Sequence, residues 1–268
     1  MTAISTLISR HFTAHASDSF VTERRNDAWE VVKSQKTKLA PVKHWRGAFA
    51  FWGLATYGQW STLDWLRSQA HLAPTFSSPE DFAIATASNL EQELSRLPLG
   101  NGREKGIGIH FTAYEYISDY WIPELFLISN WAGIPYGDLR TTGVGASRET
   151  YHTLMDIPSS PEHRRFEFRL QVHQALQSER MFWYNNGDPK LYNPVANSIT
   201  NTILTLEKRG TLDQLASKEA HCDLARRPIQ VISDLLGDFS RAGTRLIGGK
   251  PHDLCVSPGG NYWSSTGD

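Results

Sequence analysis

The order of elements in this 268-residue chain predicts an antiparallel, layered α+β fold. Three observations carry that prediction. Residues 1–56 hold short β-branched and aromatic runs with no helical period. A helical period then runs from 61 to 97 and gives way to strand patterning between 106 and 129. The remainder is mostly helical and closes on one further strand. Runs of strands alternating with runs of helices mark α+β layering, whereas crossover βαβ units need strand and helix to alternate singly. A Rossmann arrangement is therefore disfavoured.

The elements follow in order. Thr6 to Ile8 and Phe12 to Ala16 read as two extended pieces around a turn at Ser9-Arg10-His11. Lys38 to Val42 and Gly47 to Phe51 repeat that plan, broken at 43–46. Ser61 is an N-cap candidate for a helix through Leu63, Leu66 and Ala70. Ser78-Pro79-Glu80-Asp81 is a stronger start, with a cap, a first-turn proline and two acids at the positive end of the helix dipole. Phe82, Thr86, Leu90, Leu94 and Leu97 then share one face until Pro98. Gly106 to Thr112 and Glu124 to Ser129 predict an antiparallel pair. From Arg148 onward the pattern is helical, punctuated at Pro158 to Pro161 and at Asn185 to Pro189. Pro194 and Pro228 are expected to open helices and Gly210 to end one. Ile229, Ile232, Leu236 and Phe239 make the last helix amphipathic. His252 to Val256 is a strand, and residues 258–268 are expected to be a flexible tail. The whole, 1–268, is expected to form one domain.

Composition bounds the function. A net charge of -1 and 21% charged residues argue against a nucleic-acid binder. Forty per cent hydrophobic residues, with nine Trp and twelve Phe, exclude general disorder. No apolar run approaches the roughly 20 residues of a membrane span, and no signal-like stretch opens the chain. Two cysteines, Cys222 and Cys255, make no disulfide framework and fit a reducing, cytoplasmic setting. His11 and His15 are four apart, but on a strand pair that spacing builds no metal site. The polar NNGDP segment (Asn185 to Pro189) reads as a helix boundary, and Asp64 with Arg67 as a solvated helix face. Trp52, Trp60 and Trp65 are expected to fill core and subunit contacts. No cofactor or metal is implied.

Chemistry concentrates near the start. Removal of Met1 ahead of a small residue is expected to expose Thr2. A threonine hydroxyl becomes a nucleophile when its own α-amine serves as base, and that amine titrates near 7.7–8.0 in model peptides. Asp18 closes the second strand, and Lys38 opens the third. A hairpin brings Asp18 level with Thr2, and a neighbouring strand can bring Lys38 there too. A buried lysine lowers the amine's proton affinity, with the aspartate holding that lysine charged. Lys36, one pleat along on the same face, competes for the role. Gly53 follows an apolar strand and precedes a helix, where a backbone N–H can approach a substrate carbonyl.

TAISTLISRHFTAHASDS, KTKLAPV and AFWGLATYGQWSTLDWL together resemble the β-type subunits of proteasomes and their bacterial relatives, within the N-terminal-nucleophile (Ntn) hydrolases. GIGIHFTAYEYISDYWIPELFLISNWAG looks like that family's central hairpin, TTGVGAS like its glycine turn, and IGGKPHDLCVSPGG like its closing strand. The resemblance covers roughly 2–145 and 228–260. It implies a four-layer αββα sandwich of two antiparallel sheets and subunits that close into homo-oligomeric rings. It also implies a threonine-type endopeptidase: Thr2 as nucleophile, Asp18 and Lys38 as the charge pair tuning it, Gly53 as oxyanion amide. Substrates would be peptides or unfolded proteins, with an ATPase unfoldase as a possible partner. Three positions depart from the pattern. Val144 stands where a serine usually sits between two glycines, and Thr244 and Ile247 replace an aspartate and a serine; Ser147, Asp238 and Ser240 are the nearby substitutes. Those departures keep open a non-catalytic scaffold subunit. A small-amide acylase of the same superfamily is a third reading, with 155–227 as a helical insertion that caps the site or mediates assembly.

Overall fold

In the computed structural model, residues 2–25, 28–33, 36–98, 106–117, 119–129, 172–178, 180–188, 191–210, 217–239 and 247–265 are described. The protein is α+β, and its strand pairs are antiparallel. The chain falls into two compact units. The first joins Met1–Leu39 to Ala175–Asp268, and the second is Ala40–Gln174.

The first unit is built on a five-stranded sheet. Strands β1 (Ile4–Ile8) and β2 (Thr13–Ser17) form the predicted hairpin, with Ile4 opposite Ser17. Ser9 closes the turn: its N–H donates to the Phe12 carbonyl at 2.9 Å, and its Oγ accepts from the His11 and Phe12 amides. A second hairpin, β3 (Val21–Arg25) with β4 (Ala28–Lys33), leads on to β5 (Leu39–Val42). The sheet is completed by β11 (Phe182–Asn186) beside β1, then β12 (His252–Val256) beside β2, and β13 (Tyr262–Trp263) at the far edge. Two helices pack on it, α3 (Tyr192–Lys208) on β11 and α4 (Lys218–Phe239) on β1, β2 and β12. Ala225, Ile229 and Ile232 of α4 are buried with Leu7, Ala14 and Ala16 of the sheet. Area removed from water at roughly 25 cal/mol per Å² makes such burial the main stabilising contribution.

The second unit has a four-stranded sheet in the order β10-β9-β6-β5. Strand β6 is Gly47–Gly53, β9 is Ile107–Ile117 and β10 is Tyr120–Ser129. Two short strands, β7 (Thr56–Tyr57) and β8 (Trp60–Ser61), follow β6. They lead into α1 (Thr62–Leu72) and then α2 (Pro79–Arg96). Both predicted caps are present. The Ser61 hydroxyl accepts from the Asp64 amide, and the Ser78 hydroxyl accepts from the Asp81 amide at 3.0 Å. The Ser77 and Ser78 hydroxyls also donate to Asp81, and hold its carboxyl below the usual carboxylate range.

Several expectations are corrected. The stretch 155–227 was expected to be a helical insertion. Its described part holds α3, but Phe182–Asn186 is a strand paired residue for residue with β1. A five-residue strand that ends in Asn-Asn before a glycine has no helical or alternating signature of its own, and its place is set by a partner far away in sequence. Pro228 lies inside α4 instead of opening it. The expected tail includes β13, which pairs Trp263 with Cys255. No helix among the described residues is long and apolar enough to cross a membrane.

Candidate active site

Three of the predicted residues converge in the first unit. The β1–β2 register places Ala3 opposite Asp18, one step past the strand ends: the Asp18 amide donates to the Ala3 carbonyl at 3.0 Å. The Ala3 amide returns a bond to Asp18 Oδ1 at 2.9 Å. Thr2 is thereby fixed next to the carboxylate. The hairpin does this because the short connection of residues 9–12 leaves no slack in the pairing.

Lys38 arrives differently from the expectation. It does not come on a neighbouring strand of the same sheet. It sits on the segment between β4 and β5, and β5 itself belongs to the second sheet. That segment is tied down by the Lys36 amide donating to the Ser19 carbonyl at 3.2 Å. The Lys38 ammonium donates to Asp18 Oδ1 at 2.7 Å, to the Phe20 carbonyl at 2.7 Å and to Thr2 Oγ1 at 3.3 Å. All three N–H bonds therefore have acceptors. Lys36, the rival candidate, is exposed, and only its backbone takes part.

The electrostatics are those of a buried charge pair. Lys38 is 1% exposed, Asp18 is fully buried and Thr2 is 7% exposed. Burial pushes the Lys38 pKa below its ordinary value, with the attraction of Asp18 opposing that shift. Asp18 Oδ1 serves two donors, while Oδ2 is buried with no hydrogen-bond partner among the described residues. An unsatisfied buried carboxylate oxygen is costly, and here it belongs to the carboxylate that holds Lys38.

Supporting groups that sequence reasoning missed are largely backbone. The Phe20 carbonyl is one. Gly187 is another: a Cβ there would come within 2.6 Å of the Thr2 carbonyl, so only glycine lets the end of β11 press on Thr2 and Ala3. Gly248 accepts from the Ser19 amide at 3.1 Å, and a Cβ on Gly249 would strike the Ser19 hydroxyl. The Gly-Gly pair thus buttresses the residue next to Asp18. The signal available for it was the doublet in IGGKP.

Gly53 lies in the second unit at the end of β6. It has φ +90, and a Cβ would meet the Gly106 carbonyl at 2.1 Å, so glycine is obligatory there on packing grounds alone. Val144, Thr244, Ser147 and Ser240 fall outside the described residues. Ile247 is described and fully buried in the apolar core of the first unit. His15 is buried with its Nδ1 2.8 Å from the Thr6 hydroxyl, and His11 is exposed, so the two do not converge. Asp188 of the NNGDP segment accepts from the Leu191 amide at 2.7 Å at the start of α3, a helix boundary as expected. Asp64 and Arg67 form an exposed pair.

No protein-family model matches the chain, and no curated protein does. Among solved structures the chain is similar to Anbu (ancestral beta-subunit) from Yersinia bercovieri. That similarity has 10% identity and a TM-score of 0.48, covering 98% of this chain and 87% of that one.

Proposed function

We propose that the protein is a proteasome-like threonine hydrolase that cleaves peptide bonds through Thr2 once Met1 is removed. One observation carries the reading: a fully buried ammonium, Lys38, bridges a buried carboxylate to the Thr2 hydroxyl. A structural ion pair needs no hydroxyl, and burying one is at best neutral for stability.

In this reading the freed α-amine of Thr2 takes the Oγ1 proton, directly or through one water, as Oγ1 attacks the substrate carbonyl. The Lys38 charge disfavours protonation of the amine in the resting state and stabilises developing negative charge on Oγ1. Asp18 holds Lys38 in place. The tetrahedral intermediate collapses to a Thr2 ester, the leaving amine takes the proton, and water hydrolyses the ester in the reverse sense. A backbone amide would hold the oxyanion, the role that the resemblance gives to Gly53. Substrates are peptides or unfolded chains, and subunits assemble into a homo-oligomeric ring that an unfoldase could feed.

The test is the intact mass after exposure to a peptide epoxyketone, which reacts with both the hydroxyl and the amine of a terminal threonine. The expected mass lacks Met1 and carries one adduct, and Thr2→Ala carries none. A chain that keeps Met1 or refuses the adduct overturns the proposal and favours a non-catalytic scaffold. Ile247 supports that second reading, because it places an apolar side chain, fully buried, where the resemblance expects a serine.

A further inference from the structure

The chain's only two cysteines meet in the interior of the first unit. Cys222 lies in the first turns of α4 and Cys255 near the end of β12, two elements that pack on one another. Both are free thiols, 0% and 1% exposed, in one core cluster. The two thiols are close enough to interact directly.

The two cysteines differ in what they border. Cys255 lines a cavity of about 260 Å³ together with Phe12, Tyr262 and Trp263, and Cys222 does not. A water molecule occupies about 30 Å³ of liquid, so a peroxide-sized molecule fits there with room to spare. Lys218 also lines this cavity, its ammonium 5.7 Å from the centre of the Trp263 ring.

We propose that Cys222 and Cys255 are a reversible redox pair, in which a peroxide entering this cavity oxidises Cys255 and Cys222 resolves it to an intramolecular disulfide joining α4 to β12. In the first step the Cys255 sulfur attacks one peroxide oxygen, the O–O bond breaks, and the departing oxygen leaves as water with the thiol proton. Cys255 is then a sulfenic acid. In the second step the Cys222 sulfur displaces the hydroxyl from Cys255, the S–S bond forms, and the hydroxyl leaves as a second water with the Cys222 proton. Two thiols are oxidised by two electrons and one hydrogen peroxide is reduced to two waters; a dithiol reductant reverses the reaction by exchange.

The order of attack follows from position and protonation. Cys255 faces the cavity. The hydrogen bond to Cys255, and then burial, hold the Cys222 thiol well above its ordinary pKa, so it is a poor first attacker. A metal-binding alternative finds no support. The described residues contain no group of three or more His, Cys, Asp or Glu able to hold an ion, and two thiols fall short of a structural zinc site.

The experiment treats the full-length protein with hydrogen peroxide, blocks free thiols, and maps peptides without reductant. The expected product is one cross-linked pair, Cys222 to Cys255, lighter by two hydrogens and restored by dithiothreitol, with no disulfide-linked dimer. In Cys222→Ala, dimedone should trap a sulfenic acid on Cys255; in Cys255→Ala, Cys222 should stay unlabelled at the same dose. Thiols that remain free in the folded wild-type protein, at a dose that oxidises them in urea, would overturn the proposal. So would intermolecular linkage only, or dimedone labelling of Cys222 in Cys255→Ala at a rate matching that of Cys255 in Cys222→Ala. The wild-type map needs no variant to fold.

Discussion

The two units share a plan, an antiparallel sheet carrying a pair of helices, yet their interiors are held together by different means. The second is packed with aromatic rings. Phe111 stacks on Phe126 at 5.5 Å, meets Phe82 edge-on at 5.3 Å and lies 5.0 Å from Phe49. Its buried carboxylate, Glu124, has a part-exposed His173 at 3.5 Å. The first unit buries smaller residues, and within it a complete ion pair, Lys38 with Asp18 at 2.7 Å. Taking both charges out of water costs several kcal/mol per ion before their attraction offsets it. The difference teaches where to look for function: a fold whose interior is packed mainly with rings in one half carries a complete buried ion pair in the other for another reason.

The sharpest way to break the comparison is Lys38→Met, which keeps much of the volume and removes the charge. Leaving Asp18 buried and unpaired should cost about 3–5 kcal/mol, read as a lower denaturation midpoint at unchanged slope. Asp18→Leu combined with Lys38→Met should recover much of that loss, because no lone charge remains. Adduct formation at Thr2 should be abolished in both. In the wild-type protein that reactivity should also fall as pH rises, at a lower pH than the roughly 10.4 of an ordinary lysine, because burial pushes the Lys38 pKa down and the active form carries the proton. A single Lys38→Met variant as stable as wild type would mean that the pair matters little to the fold.

A comparable volume-for-volume exchange in the second unit should be milder. Phe111→Leu removes three ring contacts but leaves no polar group unsatisfied, and should cost about 1–2 kcal/mol with no effect on Thr2 reactivity. Equal losses for Phe111→Leu and Lys38→Met would erase the distinction between the two interiors.

How much of this was legible in the sequence follows from the range of each signal. The Ser61 and Ser78 caps were readable because a cap and its amide lie three residues apart. Thr2 and Asp18 were readable because a short turn fixes hairpin register. Lys38 was placed beside Thr2 and Asp18 by the wrong route, since its segment is positioned by a bond from Lys36 to Ser19 that no local pattern announces. Strand β11 was missed because its place is fixed by β1, with Trp183 donating to the Ser5 hydroxyl at 2.6 Å across most of the chain. The β3–β4 hairpin escaped because its run VTERR is charged and lacks apolar alternation. Tyr262 and Trp263 escaped because a Gly- and Ser-rich setting reads as tail until β12 offers them an edge.

The smallest effect concerns how the first unit holds its own helix. His221, at the start of α4, is fully buried, with Nδ1 3.0 Å from the Ser217 carbonyl and Nε2 2.7 Å from the Ser9 hydroxyl. A carbonyl can only accept, so Nδ1 carries the proton and Nε2 accepts from Ser9. The neutral ring thus joins α4 to the β1–β2 turn. Burial pushes the His221 pKa below its ordinary value, with nearby His11 adding to that shift and the Ser217 carbonyl opposing it. The unfolded chain therefore binds the proton more readily than the folded one, and stability must rise with pH across the window between the lowered folded value and about 6.5. Acidification should erode stability from about pH 6.5 downward, and the loss should level off once the pH is below the folded value. In His221→Gln, which keeps a donor and an acceptor without a titrating proton, the same melts across pH should lose this slope. If the slope persists unchanged, the acid sensitivity belongs to another group.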